Sequence, residues 1–511
     1  MNKKICDKLF FVICFVLIFN NIPNILQMNL IGSILADKLV FYPLFVGCIY
    51  TIYCQYKYKN VLINFNKVKK YVFSYLIIVM LSLIVGLYNY PYYNMILNGP
   101  VEQIEKLPAV LAMLQNLGLN VEEKSLLIFW MIARVVKGLL LETVYTIGGA
   151  YMIYCWYYND WQRGFKILGK AIIFSLIIIF LYSSVEIFYL SGNITATEIM
   201  IAITPFFHMI VTDHNWWPPL LWNGQLRSIF AEPSYFGMYA SFAMPFLWYK
   251  FIKNTKYKMI YGLIILLFTF LLFLTKARTA VALFGGELII LLAYMIYLKN
   301  KIFFKNILLI CIFTAISFVG ANIFISSVMD ANSEAKINVE EYVEENLVSI
   351  ASTEKRSNTA RYSIMLANLK IGLDHPFLGI GLNLNDAYIP EYLPSMSDNS
   401  SEVNMWINDQ KEKGILKSGF PSLGEYISRF AETGVLGLIA FLVPPVFLLI
   451  NLLNKIRKED DLRYAIFMIS FIGMLSTGIG DSINITYCYW ILLGLGYVMC
   501  FGKSGDDIKH E

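Results

Sequence analysis

Apolar residues along this chain come in long blocks separated by short polar intervals, with none of the strict alternation of a half-buried strand. A helix needs roughly 20 mostly apolar residues to cross the hydrocarbon core of a bilayer. Blocks of that kind fall at about 9–28, 39–54, 71–88, 130–156, 167–190, 235–252, 259–275, 279–298, 303–328, 427–452, 462–480 and 484–501. The pattern predicts an all-α polytopic membrane protein of about 12 transmembrane helices, with residues 1–511 forming a single membrane domain. No internal repeat divides it.

Three intervals are long, at 89–129, 191–234 and 329–426. Inside the last, Ser357 and Asn358 have the character of an N-cap, and a helix is predicted from Thr359 to Leu373. Ile364, Met365, Leu369 and Leu373 would form its apolar stripe, and Pro376, after Asp374 and His375, would stop it.

Positive charge gives the blocks a direction. Short cytoplasmic loops hold the excess of Lys and Arg, and assigning alternate intervals to one side collects 24 of the 41 such residues into short segments. Among them are Lys3, Lys4 and Lys8, the cluster from Lys57 to Lys70, Arg163 to Lys170, Lys250 to Lys258, Lys299 to Lys305, Lys455 to Arg463, and Lys503 and Lys509. Both termini are therefore expected in the cytoplasm, and 329–426 becomes a large, partly helical outer loop. It is acidic, with 15 acidic against 8 basic residues from Met329 to Glu425. The block at 9–28 follows lysines as a signal peptide does, but Asn20, Asn21 and Pro23 close it in place of a small-x-small cleavage site, so an uncleaved first span is expected.

Composition agrees. Residues are 58% hydrophobic and 15% charged, with a mean hydropathy of +0.59, whereas soluble chains carry about 25% charged residues. The net charge of +5 is scattered between spans and forms no basic face, which argues against nucleic acid as a partner. The eight cysteines lie in spans or at their cytoplasmic ends without a CxxC pair, and the four histidines lack ligand spacing. No disulfide framework, metal or other cofactor is expected.

Several outer residues could carry chemistry. Arg227, in RSIFAEPSYFG before the sixth block, is either an interfacial arginine paired with Glu232 or an anion clamp. Arg278, in LTKARTA, sits with Lys276 in an outer turn, against the positive-inside trend. Arg361 would lie in the first turn of the loop helix, where a bound anion turns an unfavourable interaction with the helix dipole into a favourable one; pairing with an acid of the loop is the alternative. His375 ends the same helix within DHPFLGIGLN, ahead of Gly379 and Gly381, whose missing side chains permit close backbone approach. His208 and His214 have weaker context. Trp216, Trp217 and Trp222 read as an interfacial belt or a sugar-stacking surface. Glu287, in mid-span, must face the protein interior.

Together RSIFAEPSYFG, LTKARTA, TARYSIMLANLKIGLDHPFLGIG and EYISRFAETGVLGL resemble the O-antigen ligase and O-antigen polymerase family of bacterial envelope enzymes. The resemblance implies a GT-C-like, metal-independent glycosyltransferase in the bacterial cytoplasmic (inner) membrane, its active site facing the periplasm or exterior. Its donor would be an undecaprenyl-diphosphate-linked glycan, and membrane lipids, a chain-length regulator and a flippase would be its partners. The family's diphosphate-binding arginines would correspond to Arg227, Arg278 and Arg361, and its His-Pro-x-x-Gly-x-Gly stretch to His375 through Gly381. Ligase-type members carry a His-Asn pair where this chain has Leu423 and Gly424, so a polymerase of lipid-linked repeat units is expected first, a ligase second, and a transporter or flippase of lipid-linked sugars third.

Breaking a sugar–diphosphate bond loads negative charge on the leaving group, which fixed positive charge stabilises. Arg227, Arg278 and Arg361 are expected to hold that diphosphate while Glu232 or His375 deprotonates the acceptor hydroxyl. Arg361 would then touch the reacting group itself, with Gly379, Gly381, Glu425 and Arg429 supporting the loop.

Overall fold

The computed structural model describes residues 1–28, 33–59, 62–209, 224–298, 301–329, 356–484 and 486–503. His214 and the three tryptophans from 216 to 222 lie outside them. Of the described residues 79% are helical, and no strand occurs among them.

Helices of eight residues or more are numbered in chain order. They are α1 (Lys3–Phe15), α2 (Phe41–Tyr58), α3 (Phe65–Tyr88), α4 (Leu107–Asn116), α5 (Glu123–Thr143), α6 (Gly149–Tyr157), α7 (Trp161–Leu190), α8 (Ile194–Ile203) and α9 (Pro233–Lys253). There follow α10 (Lys258–Leu274), α11 (Arg278–Leu298), α12 (Lys301–Phe324), α13 (Arg356–Asp374), α14 (Asn385–Tyr392), α15 (Ser401–Lys413), α16 (Glu425–Lys458), α17 (Leu462–Thr477) and α18 (Tyr487–Phe501).

Among the described residues five helical stretches, 65–88, 161–190, 278–297, 303–328 and 425–458, are long and apolar enough to cross a membrane. Most predicted blocks coincide with a helix to within a few residues. Two do not. The block at 9–28 holds α-helix only to Phe15, with 3-10 turns at Val16–Ile18 and Asn24–Leu26, because Asn21 takes a left-handed conformation (φ 57°) and Pro23 follows. The block at 130–156 is split by a π turn at Val144–Gly148 between α5 and α6; such a turn widens the helix and re-aims the side chains beyond it.

Two cores hold the molecule. The larger packs α1, α2, α6, α7, α9, α10, α17 and α18 around Phe236, Phe242, Phe246 and Trp248. Small residues set its closest approaches, as expected where lipid supplies no hydrophobic drive between helices: a Cβ on Gly237 would meet Ala280 Cβ at 2.4 Å, and one on Gly494 the Ala150 carbonyl at 2.4 Å. Glu287 is 1% exposed there and accepts from the Ser241 hydroxyl. The second core joins the upper half of α3 and α5 to α13, α14 and the 89–107 segment, so two of the long intervals form one module. Gln103 pins them together, donating to the Ile96 carbonyl (2.9 Å) and accepting from the Leu416 N–H (3.3 Å).

The loop helix departs from expectation in extent and face. α13 begins at Arg356, so Ser357 and Asn358 lie in its first turn instead of capping it, and Arg361 is more than a turn inside. Its buried face is Ala360, Ile364, Ala367 and Ile371, while Leu373 is 62% exposed. Small residues decide the face because they admit α16: a Cβ on Gly372 would strike the Phe430 ring at 2.4 Å.

Candidate functional site

Four segments far apart in the chain meet at one end of the bundle. They are the turn before α9, the head of α11, the second turn of α13, and the α17–α18 turn. Arg361 Nη1 donates to the Gly480 carbonyl at 3.0 Å, and its charge acts on the Glu232 and Asp481 carboxylates. Arg278 lies within electrostatic reach of Arg361. The repulsion between two like charges is relieved by neighbouring carboxylates such as Glu232 and Asp481, and by any anion bound between the arginines.

Glu232, at the head of α9, is held by the Ser234 hydroxyl (3.2 Å). Burial pushes its pKa above the usual carboxylate range and the Asp481 charge adds to the push, while Arg361 and Ser234 pull it back. Asp481 is likewise raised by burial, against the pull of Arg361, the Ser482 N–H and Lys38. Two carboxylates with raised pKa values beside a guanidinium make a proton acceptor suited to neutral pH.

Arg227 is not in this group. Its charge acts on Glu186, Tyr182, Tyr189 and His208, and the side chain is buried. Glu186 accepts the backbone N–H groups of Arg227 (2.9 Å) and Ser228 (2.6 Å). Ser228 is left-handed (φ 57°) and its hydroxyl donates to the Ile179 carbonyl at 3.3 Å, so the turn leading to Glu232 is clamped onto α7. His208 joins this cluster as a neutral ring, pushed down to about 3 by burial and the Arg227 charge. The structure thus brings Arg278 and Arg361 together and places Arg227 beside Glu186, with its Nη2 buried and without a hydrogen-bond partner among the described residues.

His375 also stands apart. It closes α13 through its N–H to the Ile371 carbonyl (3.0 Å), with its ring 6.3 Å from that of Tyr388. Fourteen helical residues separate it from Arg361, about 21 Å at 1.5 Å each, too far for both to touch one reacting bond. Gly379 and Gly381 serve a backbone crossing: Ile380 N–H donates to the Ala431 carbonyl (3.0 Å) and Gly381 N–H to that of Glu432 (2.9 Å), where Gly434 breaks α16.

Arg429 and Glu425 lie at the start of α16. Arg429 donates to Glu425 (2.7 Å), Tyr75 (3.0 Å) and Glu142 (3.3 Å). The other Glu425 oxygen accepts from the Ser482 hydroxyl (2.7 Å) and the Asn484 N–H (3.2 Å), and the Glu425 N–H donates to the Asp481 carbonyl (3.1 Å). This network holds the turn that presents Gly480 and Asp481 to Arg361.

The sequence pattern points to Glu232, Arg278 and Arg361 but passes over Asp481 and Glu186. Asp481 is an acid in the turn between the last two blocks, and Glu186 is an ionisable residue in an apolar span, the same signal that singles out Glu287.

Residues 263–442 match the family model described as O-Antigen ligase, which bears out the resemblance carried by the motifs. No curated protein matches the chain. The matched stretch contains Arg278, Arg361, His375, Glu425 and Arg429, whereas Glu232, Asp481 and Arg227 fall outside it.

Proposed function

We propose that the chain is a membrane glycosyltransferase of the O-antigen ligase type. It transfers a glycan from a lipid-linked diphosphate, undecaprenyl diphosphate by family resemblance, to an acceptor hydroxyl at the outer face of a bacterial cytoplasmic membrane. The carrying observation is Arg361, hydrogen-bonded to Gly480 and placed among Arg278, Glu232 and Asp481.

In this reaction the acceptor oxygen attacks the anomeric carbon and its proton passes to Glu232 or Asp481. The bond from that carbon to the phosphate oxygen breaks, and the electron pair leaves with the diphosphate. Arg278 and Arg361 meet the growing negative charge; each charged hydrogen bond is worth about 1.5 to 3 kcal/mol. The guanidinium groups supply the positive charge of the site, so the reaction is written without a metal. Attack opposite the leaving group inverts the anomeric centre, as the resemblance implies.

Twelve spans with both termini inside and a GT-C-like arrangement complete the proposal. One geometric fact supports the sidedness. Glu232, Arg278, Arg361 and Asp481 all come from intervals that charge alternation puts outside. Contacts such as Asp7 with Arg163 (3.1 Å) and Lys503 N–H with the Tyr158 carbonyl (2.7 Å) join intervals that it puts inside.

A polymerase uses the same chemistry with another lipid-linked glycan as acceptor, and Leu423 and Gly424 in place of a His-Asn pair favour it. Product analysis separates the two. Loss of a ligase leaves long lipid-linked chains, and loss of a polymerase leaves single repeat units. The test of the reaction itself is the purified chain in phospholipid vesicles with an undecaprenyl-diphosphate glycan. Transfer that depends on Arg361 supports the proposal; movement of lipid-linked glycan between leaflets without transfer overturns it.

A further inference from the structure

Next to the charged cluster a pocket opens between the turn after α1, the stretch leading into α2, α9 and the head of α18. Asn20, Lys38, Tyr235, Asp481, Ser482 and Thr486 are its partly exposed lining residues, and every one carries a hydrogen-bonding group. Its buried lining includes the rings of Phe230, Tyr145, Tyr239 and Tyr487. The Tyr487 hydroxyl points away from the opening, against Gly149 of α6, so that the tyrosine contributes its ring and not its hydroxyl to the lining. Asp481 belongs to both pocket and cluster, and Tyr235 lies within reach of the Glu232, Asp481 and Arg361 charges.

The occupant follows from this lining. A lipid chain would leave unmet the hydrogen-bonding groups that share this accessible surface with apolar atoms. A phosphate does not suit it either, since Lys38 faces Asp37 at 3.8 Å and Asp481 lies opposite, leaving no excess of positive charge. A neutral ring with hydroxyls on its rim and C–H faces suits both parts: polar groups fix its orientation while aromatic faces cover it.

We infer that this pocket is the acceptor subsite and binds the terminal saccharide ring whose hydroxyl is glycosylated, presenting that hydroxyl to Glu232 and Asp481. The inference rests on the proposed transferase function and adds where acceptor choice is made. None of the pocket's lining residues falls within 263–442. The stretch shared with the family thus carries the arginines that meet the donor, and the parts outside it carry the residues that select the acceptor.

The test uses the full chain in lipid nanodiscs and saturation-transfer NMR with the methyl glycosides of glucose, galactose, N-acetylglucosamine and rhamnose as probes. At least one glycoside gives a signal with the wild type, and Lys38→Gln and Asn20→Ala each weaken its binding by about fivefold, the loss of roughly one hydrogen bond. Lys413→Gln, on the exposed end of α15, leaves it unchanged. In the vesicle transfer assay the same two variants raise the acceptor KM and leave kcat in place at pH values above the acid limb, where Asp481 is ionised with or without Lys38. Absence of any wild-type signal overturns the subsite, as does a signal that ignores both pocket variants. Pocket-dependent saccharide binding without transfer by the wild type overturns the transferase proposal and leaves the subsite standing. Transfer whose acceptor KM ignores Lys38→Gln and Asn20→Ala does the reverse.

Discussion

Arg361 and Gly480 are 119 residues apart, yet the guanidinium of one donates to the carbonyl of the other at 3.0 Å. That bond joins the module built on α13 to the bundle, and it holds the guanidinium where its charge acts on Glu232 and Asp481. Replacing Arg361 by Ala is expected to lower kcat for transfer by about 10²–10³-fold, the usual cost of removing one preorganised donor. Arg361→Lys, which keeps charge but not the planar fork, falls between. Arg227→Ala should act differently, leaving Glu186 buried without its cation and lowering the amount of folded protein in the membrane. Quantifying transfer per folded molecule distinguishes the two effects.

The acid limb of the pH–rate profile follows from the Glu232–Asp481 pair. Both pKa values are raised by burial, and a base must be ionised to accept the acceptor proton, so transfer is lost as pH falls through values above the ordinary carboxylate range. The limb belongs to the pair and not to either residue alone. Asp481→Asn removes a charge that raises Glu232 and should shift the limb of the residual activity to lower pH. Arg361→Gln removes one that lowers it and should shift the limb upward. A limb that stays fixed in both variants would exclude this pair as the proton acceptor.

Two glycines make a matched comparison in stability. Gly379 has φ 66°, and a Cβ there would lie 2.4 Å from the Glu432 carbonyl carbon, so Gly379→Ala strains the backbone and drives α16 away from the 376–381 crossing. A loss above 1 kcal/mol is expected, on the order of a strained left-handed residue plus overpacking. Gly285 in α11 has open space where an alanine methyl would stand, with no atom within 4 Å, and Ala there should gain roughly 0.5–1 kcal/mol of helix stability. Thermal unfolding of the two variants in one detergent reads the opposite signs.

Block hydrophobicity located most of the helices because lipid demands long apolar runs wherever the chain crosses. It said little about which face of a helix meets its neighbour. In α13 the large residues suggested Leu373 as core, but Ala360, Ala367 and Gly372 set the contact, since close approach to α16 requires absent side chains more than large ones. Charge placed Arg278 and Arg361 on one side of the membrane without showing that Arg227 already faces Glu186. That pairing depends on α7 running beside the 226–232 turn, a relation no local pattern contains. Asp481 was hidden for a similar reason. A single acid in a short turn becomes meaningful only when Arg361, from the loop, arrives beside it.

The Arg429 network offers the sharpest test of how the site is held. Its guanidinium is buried and reaches Glu425, Glu142 and Tyr75 on three separate helices, so removing it strands two carboxylates. Arg429→Met is expected to cost about 3–5 kcal/mol, the scale for breaking a buried pair on one side only. The double variant with Glu425→Gln should recover part of that loss, because one stranded charge is then gone. Ser482→Ala is the milder probe: it deletes the hydroxyl that Glu425 holds at 2.7 Å and leaves Arg429 paired. Unfolding should shift by only about 1 kcal/mol, while kcat falls because the turn carrying Gly480 and Asp481 loosens against Arg361. If Ser482→Ala lowered stability and left kcat unchanged, the network would be a fastener of helices alone, and Glu425 would have no part in setting Asp481.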